Sequence, residues 1–193
     1  HLGEDCSQQG KTCDECNFSS DDRRSSRGAR DEVSSQCECH SCESSLCSSV
    51  MAESPSIILD CDPGHDDAFA LIVAAKFTNL LGVTTVAGNA SLELTTRNAR
   101  IILDLCGSTA PLHSGANRPL IAPPVFADYV HGKSGMDGAV LPEPSRPADS
   151  TAAIDFIIDT VRSRDDVWLV PTGPLTNIAL ALTRAPDLAR RIA

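Results

Sequence analysis

The sequence is poor in basic residues, in aromatic side chains and in long apolar runs, and each shortage narrows what the protein can do. Lys and Arg number 16 against 26 Asp and Glu, for a formal net charge of −10. That balance leaves no basic face for a nucleic-acid backbone and suits a cation or a neutral small molecule better. Aromatics are only 4% of residues, yet with 41% hydrophobic and 22% charged side chains the chain composition is that of a globular protein. Its length of 193 residues suffices for one ordinary domain with a tail to spare. The longest unbroken apolar run, Ala68 to Ala75, is far short of a bilayer-spanning helix, so a membrane is not an expected partner. No charged-then-apolar segment opens the sequence, so a secretory signal is not expected either.

Cysteine is scarce where a disulfide-built core would need it. Seven of the nine cysteines (Cys6, Cys13, Cys16, Cys37, Cys39, Cys42 and Cys47) precede residue 51, and only Cys61 and Cys106 follow. The main body therefore reads as a cytoplasmic protein with reduced thiols. Residues 1–50 also lack apolar side chains: Leu2, Phe18, Val33, Leu46 and Val50 are nearly all there are. So little apolar surface does not offset the entropy of ordering, and disorder is expected for this segment. A sequence that opens on His1, with Met51 directly ahead of the first strand, also fits an upstream stretch with its true start at Met51. The competing reading is a zinc module from Cys13-x-x-Cys16 and the cluster Cys37, Cys39, His40 and Cys42, but the second group is irregularly spaced.

From residue 51 to 193 the pattern is one of strands alternating with helices. Ser56 to Asp60 and Leu81 to Val86 read as strands. Asp66 to Phe77 is apolar nearly all round, as a helix buried on most sides would be. Leu92 to Cys106 is helical, with Ala99, Ile102, Leu103 and Cys106 on one face. Residues 110–150 form a long irregular connection with one short strand near Leu112. Ser150 or Thr151 can cap a helix that aligns Ile154, Ile157, Ile158 and Val161. Asp166 to Pro171 is a further strand, and Pro174 suits the first position of a helix aligning Leu175, Ile178, Ala179 and Leu182. Such alternation predicts an α/β fold, a Rossmann-like parallel sheet with helices on both faces, whose ligand site lies at the carboxyl ends of the strands.

Three strand ends carry polar clusters: Asp60 to Asp67, Ala87 to Ala90, and Thr172 to Asn177. The first packs Asp60, Asp62, Asp66 and Asp67 into eight residues, and their mutual repulsion calls for a counter-charge. A hard divalent cation with oxygen ligands supplies one, and the Pro63-Gly64 turn lets Asp62 and Asp67 face a common ion. Capping of the following helix by Asp66 and Asp67 is the plainer alternative, but it leaves Asp60 and Asp62 unexplained. An EF-hand is excluded, because His65 and Leu71 stand where its Gly and Glu belong. Asp60-x-Asp62 at a strand end also admits a haloacid-dehalogenase-like phosphohydrolase with Asp60 as nucleophile, although Pro63-Gly64-His65 follows in place of the usual Gly-Thr. A non-catalytic metal- or partner-binding protein with a Cys-rich arm is the third possibility.

The run Asp60-x-Asp62-Pro63-Gly64-x-Asp66-Asp67-Ala68 resembles the signature of the inosine-uridine preferring nucleoside hydrolases. So do Val86-Ala87-Gly88-Asn89, His131-Gly132-x-x-Gly135 and Pro171-Thr172-Gly173-Pro174-Leu175-Thr176-Asn177, in the same order and at similar separations, over about residues 55 to 193. The resemblance implies hydrolysis of the N-glycosidic bond of a ribonucleoside, with a Ca2+ ion that holds the ribose 2′- and 3′-hydroxyls and the attacking water. It implies that Asp62 ligates the metal and acts as general base, that Asp67 holds the ion with both carboxylate oxygens and Thr172 with its carbonyl, that a further ligand Asp lies past the Thr172 motif, and that Asp66 and Asn89 bind the ribose. Asp60 would orient the metal-binding loop behind them, and His131 would contact the base, while His65 receives no role. It further implies a homo-oligomer when full length. Family members continue well past the Thr172 motif, so the chain on its own is expected to have little or no activity and to expose apolar surface and an open sheet edge.

Overall fold

A computed structural model describes residues 54–192. The expectations of disorder, of zinc ligation and of a start at Met51 all fall on residues outside that range. Four strands form one parallel sheet: β1 (Ser56–Cys61), β2 (Asn79–Thr85), β3 (Leu112–Ser114) and β4 (Val167–Pro171), in the order β3-β2-β1-β4. Between them lie α1 (His65–Phe77), α2 (Leu92–Leu105), the short α3 (Asp128–His131), and α4 (Ala153–Ser163), and after β4 come α5 (Thr176–Arg184) and a 3-10 turn at Pro186–Arg190.

The pleat of β1 divides the core. Ile57, Leu59 and Cys61 face one side and join Leu71 and Ala74 of α1 with Ala99, Ile102 and Leu103 of α2. Ile58 faces the other side and joins Ile157, Ile158 and Val161 of α4 with Ala181 of α5 and Leu188. Successive strand residues point to opposite faces, so a strand buried along its whole length is mainly apolar on both, and the polar Ser56 and Asp60 are buried with hydrogen-bond partners. The α/β architecture with helices on both faces is thus as the alternation predicted. β1 sits between two parallel partners, and its carboxyl end opens between those of β2 and β4.

Three local expectations need correction. Helix α1 is not buried on most sides: Phe69, Val73 and Phe77, four residues apart, are 72%, 54% and 72% exposed. The stripe lies opposite Ala68, Leu71 and Ala74, through which α1 joins the core with the sheet and α2. Helix α5 begins at Thr176, not at Pro174, whose carbonyl accepts the Thr176 N–H at 2.8 Å; Leu175 is left 59% exposed. Helix α4 begins at Ala153 with no side-chain cap, because the Ser150 hydroxyl accepts from the Ala152 N–H (3.1 Å) and pairs with His113 Nδ1 (2.7 Å).

Candidate active site

Asp62 follows the last residue of β1, and three strand ends close around its carboxylate. Its Oδ2 accepts the Asn89 N–H from the segment after β2 at 2.6 Å, and the Asn89 side chain returns a bond from Nδ2 to the Asp62 carbonyl at 3.0 Å. Its own N–H donates to Asp67 Oδ2 at 2.9 Å, so Asp67 folds back over the loop and does not cap α1. The approach is close enough to require glycine on both flanks. A Cβ on Gly88 would lie 2.1 Å from Asp62 Oδ2, and one on Gly173 would lie 2.7 Å from Asp62 Oδ1. Those glycines are what let the β2 and β4 ends reach the carboxylate.

Asp60 lies below this pocket, fully buried on the α4/α5 side of the sheet. Its Oδ1 accepts from Thr84 Oγ1 (2.5 Å) and Asn177 Nδ2 (2.8 Å), while Oδ2 has no hydrogen-bond partner. Its carbonyl receives the N–H groups of Thr172 (2.8 Å) and Gly173 (3.3 Å), which fixes the loop after β4. Burial pushes the Asp60 carboxyl up to about 6, against the hydrogen bonds from Asn177 and Thr84 that pull it down. Burial also raises the Asp62 carboxyl, with the charge of Asp67 adding to the push. A nucleophilic Asp60 is therefore untenable: a carboxylate with no exposed surface and one oxygen held twice cannot reach a substrate phosphorus. The phosphohydrolase alternative falls with it.

The loop that carries His131 folds over the same pocket. The Ala127 N–H donates to the Asn89 carbonyl (2.9 Å), and Asn98 Nδ2 of α2 bridges the carbonyls of Pro63 (3.2 Å) and Ser134 (2.9 Å). A Cβ on Gly64 would lie 2.7 Å from His131 Nδ1 and 3.0 Å from Asn89 Nδ2, so the imidazole and the amide meet above the Pro63-Gly64 turn. Gly132 and Gly135 turn the loop with φ of 75° and 81°, a region that L side chains avoid. Asp66 is exposed on the first turn of α1, and Thr172 is exposed at the end of β4. The structure thus brings together Asp62, Asp67, Asn89 and His131, with Asp60 beneath; Asp66 and Thr172 stand at the rim.

Sequence reasoning gave no role to Asn98, Asn177 or His65. Asn177 is fully buried; it also donates to the Thr85 carbonyl (3.0 Å) and accepts the Ala116 N–H (2.8 Å), which links all four strand ends. Asn98 offered a signal in the sequence, as a polar residue on the face of α2 that otherwise carries Ala99 and Ile102 into the core. Among the described residues no group of three or more His, Cys, Asp or Glu side chains is arranged to hold a metal ion. The acidic pair Asp62 and Asp67 and the unpartnered Oδ2 of Asp60 nevertheless make a site that favours positive charge, and its donors are all oxygens, as a hard cation prefers.

Comparison with known proteins turns this geometry into kinship. The sequence model of the inosine-uridine preferring nucleoside hydrolases matches residues 57–193. An uncharacterized protein of Schizosaccharomyces pombe is 51% identical over 140 residues, 70% of this chain and 45% of its own length. The pyrimidine-specific ribonucleoside hydrolase RihB of Escherichia coli is 43% identical over 143 residues, 72% of this chain and 46% of its own. Among solved structures, a purine-preferring ribonucleoside hydrolase from Gardnerella vaginalis superposes with a TM-score of 0.65 at 34% identity, covering 71% of this chain and 46% of that one. The chain spans under half the length of these relatives. With the acidic loop, its glycine flanks and the strand order all inside the matched region, the chain belongs to the inosine-uridine preferring nucleoside hydrolase family.

Proposed function

We propose that the protein carrying this chain hydrolyses the N-glycosidic bond of ribonucleosides, and that this chain supplies the half of the site that binds the sugar and activates water. The observation that carries the reading is the convergence of three strand ends on Asp62, held by Asn89 and hemmed in by Gly88 and Gly173. The relatives support it, since RihB and the Gardnerella enzyme are both named ribonucleoside hydrolases. A calcium ion bound by Asp62, Asp67 and the Thr172 carbonyl would supply the positive charge that acidifies the attacking water. Asp62 takes that proton: Oδ2 is occupied by the Asn89 amide, and burial raises the carboxylate's proton affinity. Asn89 and Asp66 hold ribose hydroxyls above it. The cluster of acidic groups under the sugar favours the positive, oxocarbenium-like transition state. His131, folded over Gly64, meets the leaving base.

The test is release of ribose from inosine and from uridine by a protein that carries this chain within its full reading frame, with and without calcium. Asp62→Ala is expected to lower kcat by about 100- to 10,000-fold, the range for loss of a general base. A folded, calcium-loaded protein that releases ribose from no nucleoside would refute the reading.

A further inference from the structure

His65 opens α1 one residue past the Gly64 turn, and its ring stacks on that of His131 with centroids 5.5 Å apart. The two Nδ1 atoms are 3.2 Å apart, and His65 Nε2 lies 3.1 Å from the Asp137 carbonyl. That carbonyl is well anchored. The Asp137 carboxylate accepts the N–H groups of Lys133 (2.9 Å) and Ser134 (3.1 Å) and the Ser134 hydroxyl, and the Asp137 N–H donates to the His131 carbonyl at 3.0 Å.

A carbonyl oxygen only accepts, so His65 Nε2 must carry its ring proton. Nδ1 of a neutral His65 is then a lone pair, and the 3.2 Å contact requires His131 Nδ1 to donate to it. The His65 N–H also points at His131 Nδ1, at 3.4 Å, and would ask that nitrogen to accept. One nitrogen cannot serve both. The side-chain contact is the shorter, and the obligate acceptor at the far end of the chain sets its direction.

We propose that His65 is a positioning residue for His131: as the acceptor for its Nδ1–H, it fixes the ring's tautomer and leaves Nε2 as the nitrogen that exchanges a proton at the site. The role rests on the reading of His131 as the side chain that meets the leaving base. It follows the general pattern in which a working imidazole has one nitrogen tied to a fixed partner so that the other is defined. His131 Nε2 makes no hydrogen bond among the described residues, whereas Nδ1 makes the contact to His65.

The experiment is nitrogen NMR of the uniformly nitrogen-labelled 193-residue chain at a mildly alkaline pH of about 8. His131 Nδ1 is expected at the protonated, pyrrole-like position and Nε2 at the bare, pyridine-like position. In His65→Phe, which keeps a stacked ring without an acceptor, the two resonances exchange places. His65→Asn, whose Oδ1 can accept where Nδ1 did, restores the original pattern. The side-chain amide resonances of Asn98 and Asn177 report that all three proteins keep the fold. A wild-type His131 protonated on Nε2, or a pattern unchanged in His65→Phe, overturns the assignment; loss of the pattern in His65→Asn as well assigns the effect to ring packing and overturns it too. The readout needs no turnover, so failure to hydrolyse any nucleoside would sink the functional reading and the site role of Nε2 with it, but leave the assignment of the His131 tautomer to His65 standing.

Discussion

Asp60 shows how one buried atom links stability to function. In the folded chain its carboxyl is raised from 3.8 to about 6, so the folded state binds the proton more tightly than the unfolded one. The stabilisation is fully present below pH 3.8 and is lost as pH rises through about 6. The difference amounts to roughly 3 kcal/mol between those limits at 1.36 kcal/mol per pH unit. The metal-free chain is therefore expected to melt higher near pH 5 than near pH 7.5, with respect to this group. Asp60→Asn should remove that part of the slope and raise the melting temperature at neutral pH while weakening the proposed calcium site. Thermal melts with chelator, paired with calcium titration, check both halves, and a variant that leaves the slope intact would refute the attribution. Asn177→Ala has the opposite character. It strands the Ala116 N–H and removes the donor from both Asp60 and the Thr85 carbonyl, so a loss of about 2 to 4 kcal/mol in urea unfolding is expected from two or more broken buried bonds. Gly88→Ala should unseat the Asp62 carboxylate, because the added Cβ falls on Oδ2; divalent affinity is expected to drop more than stability does.

The elements were legible from periodicity where one face alone had to be read. β1, α2 and α4 appear close to where the apolar spacing placed them, and the strand-end rule put Asp62, Asn89 and Thr172 on one rim. What stayed hidden were contacts made across long stretches of chain. Asn177 reaches Asp60 over 117 positions, and His131 reaches His65 over 66; no local pattern encodes either. Helix α1 misled for a related reason, since an apolar residue on every side does not reveal which sides meet a partner. The β3–α4 junction carries its own prediction. His113 stacks on Phe156 with ring centroids 4.1 Å apart, and a Cβ on Gly82 would strike that same Phe156 ring at 2.4 Å. Burial lowers the His113 pKa against the pull of Asp149. The neutral ring thus contributes stability that is present above pH 6.5 and is lost as pH falls through its lowered folded value. His113→Gln should flatten that acid limb in thermal melts, and an unchanged limb would place its origin elsewhere.

At the scale of the whole molecule, the stripe of Phe69, Val73 and Phe77 adjoins a cavity of about 510 Å3, lined by Ile57, Leu59, Val73, Ala74, Trp168 and Val170 among others. Contiguous apolar surface of this kind binds hydrophobic dyes and other copies of itself. The chain is expected to enhance dye fluorescence and to associate more strongly as salt screens its charge of −10. Phe69→Glu with Phe77→Lys should suppress both without lowering the melting temperature, as measured by sedimentation and dye titration; association that persists in the double variant would move the contact to another face. The sheet order has a consequence in time as well. Among the described residues β1 is hydrogen-bonded on both sides, whereas β4 is bonded on one. Amides of an interior strand exchange with solvent only when the molecule opens globally, and those of an edge strand exchange through local fraying. The acidic loop therefore hangs from an interior, slow-exchanging strand, while the Thr172 side of the pocket belongs to a strand that opens sooner. One wall of the site would hold its shape through fluctuations that let the other breathe.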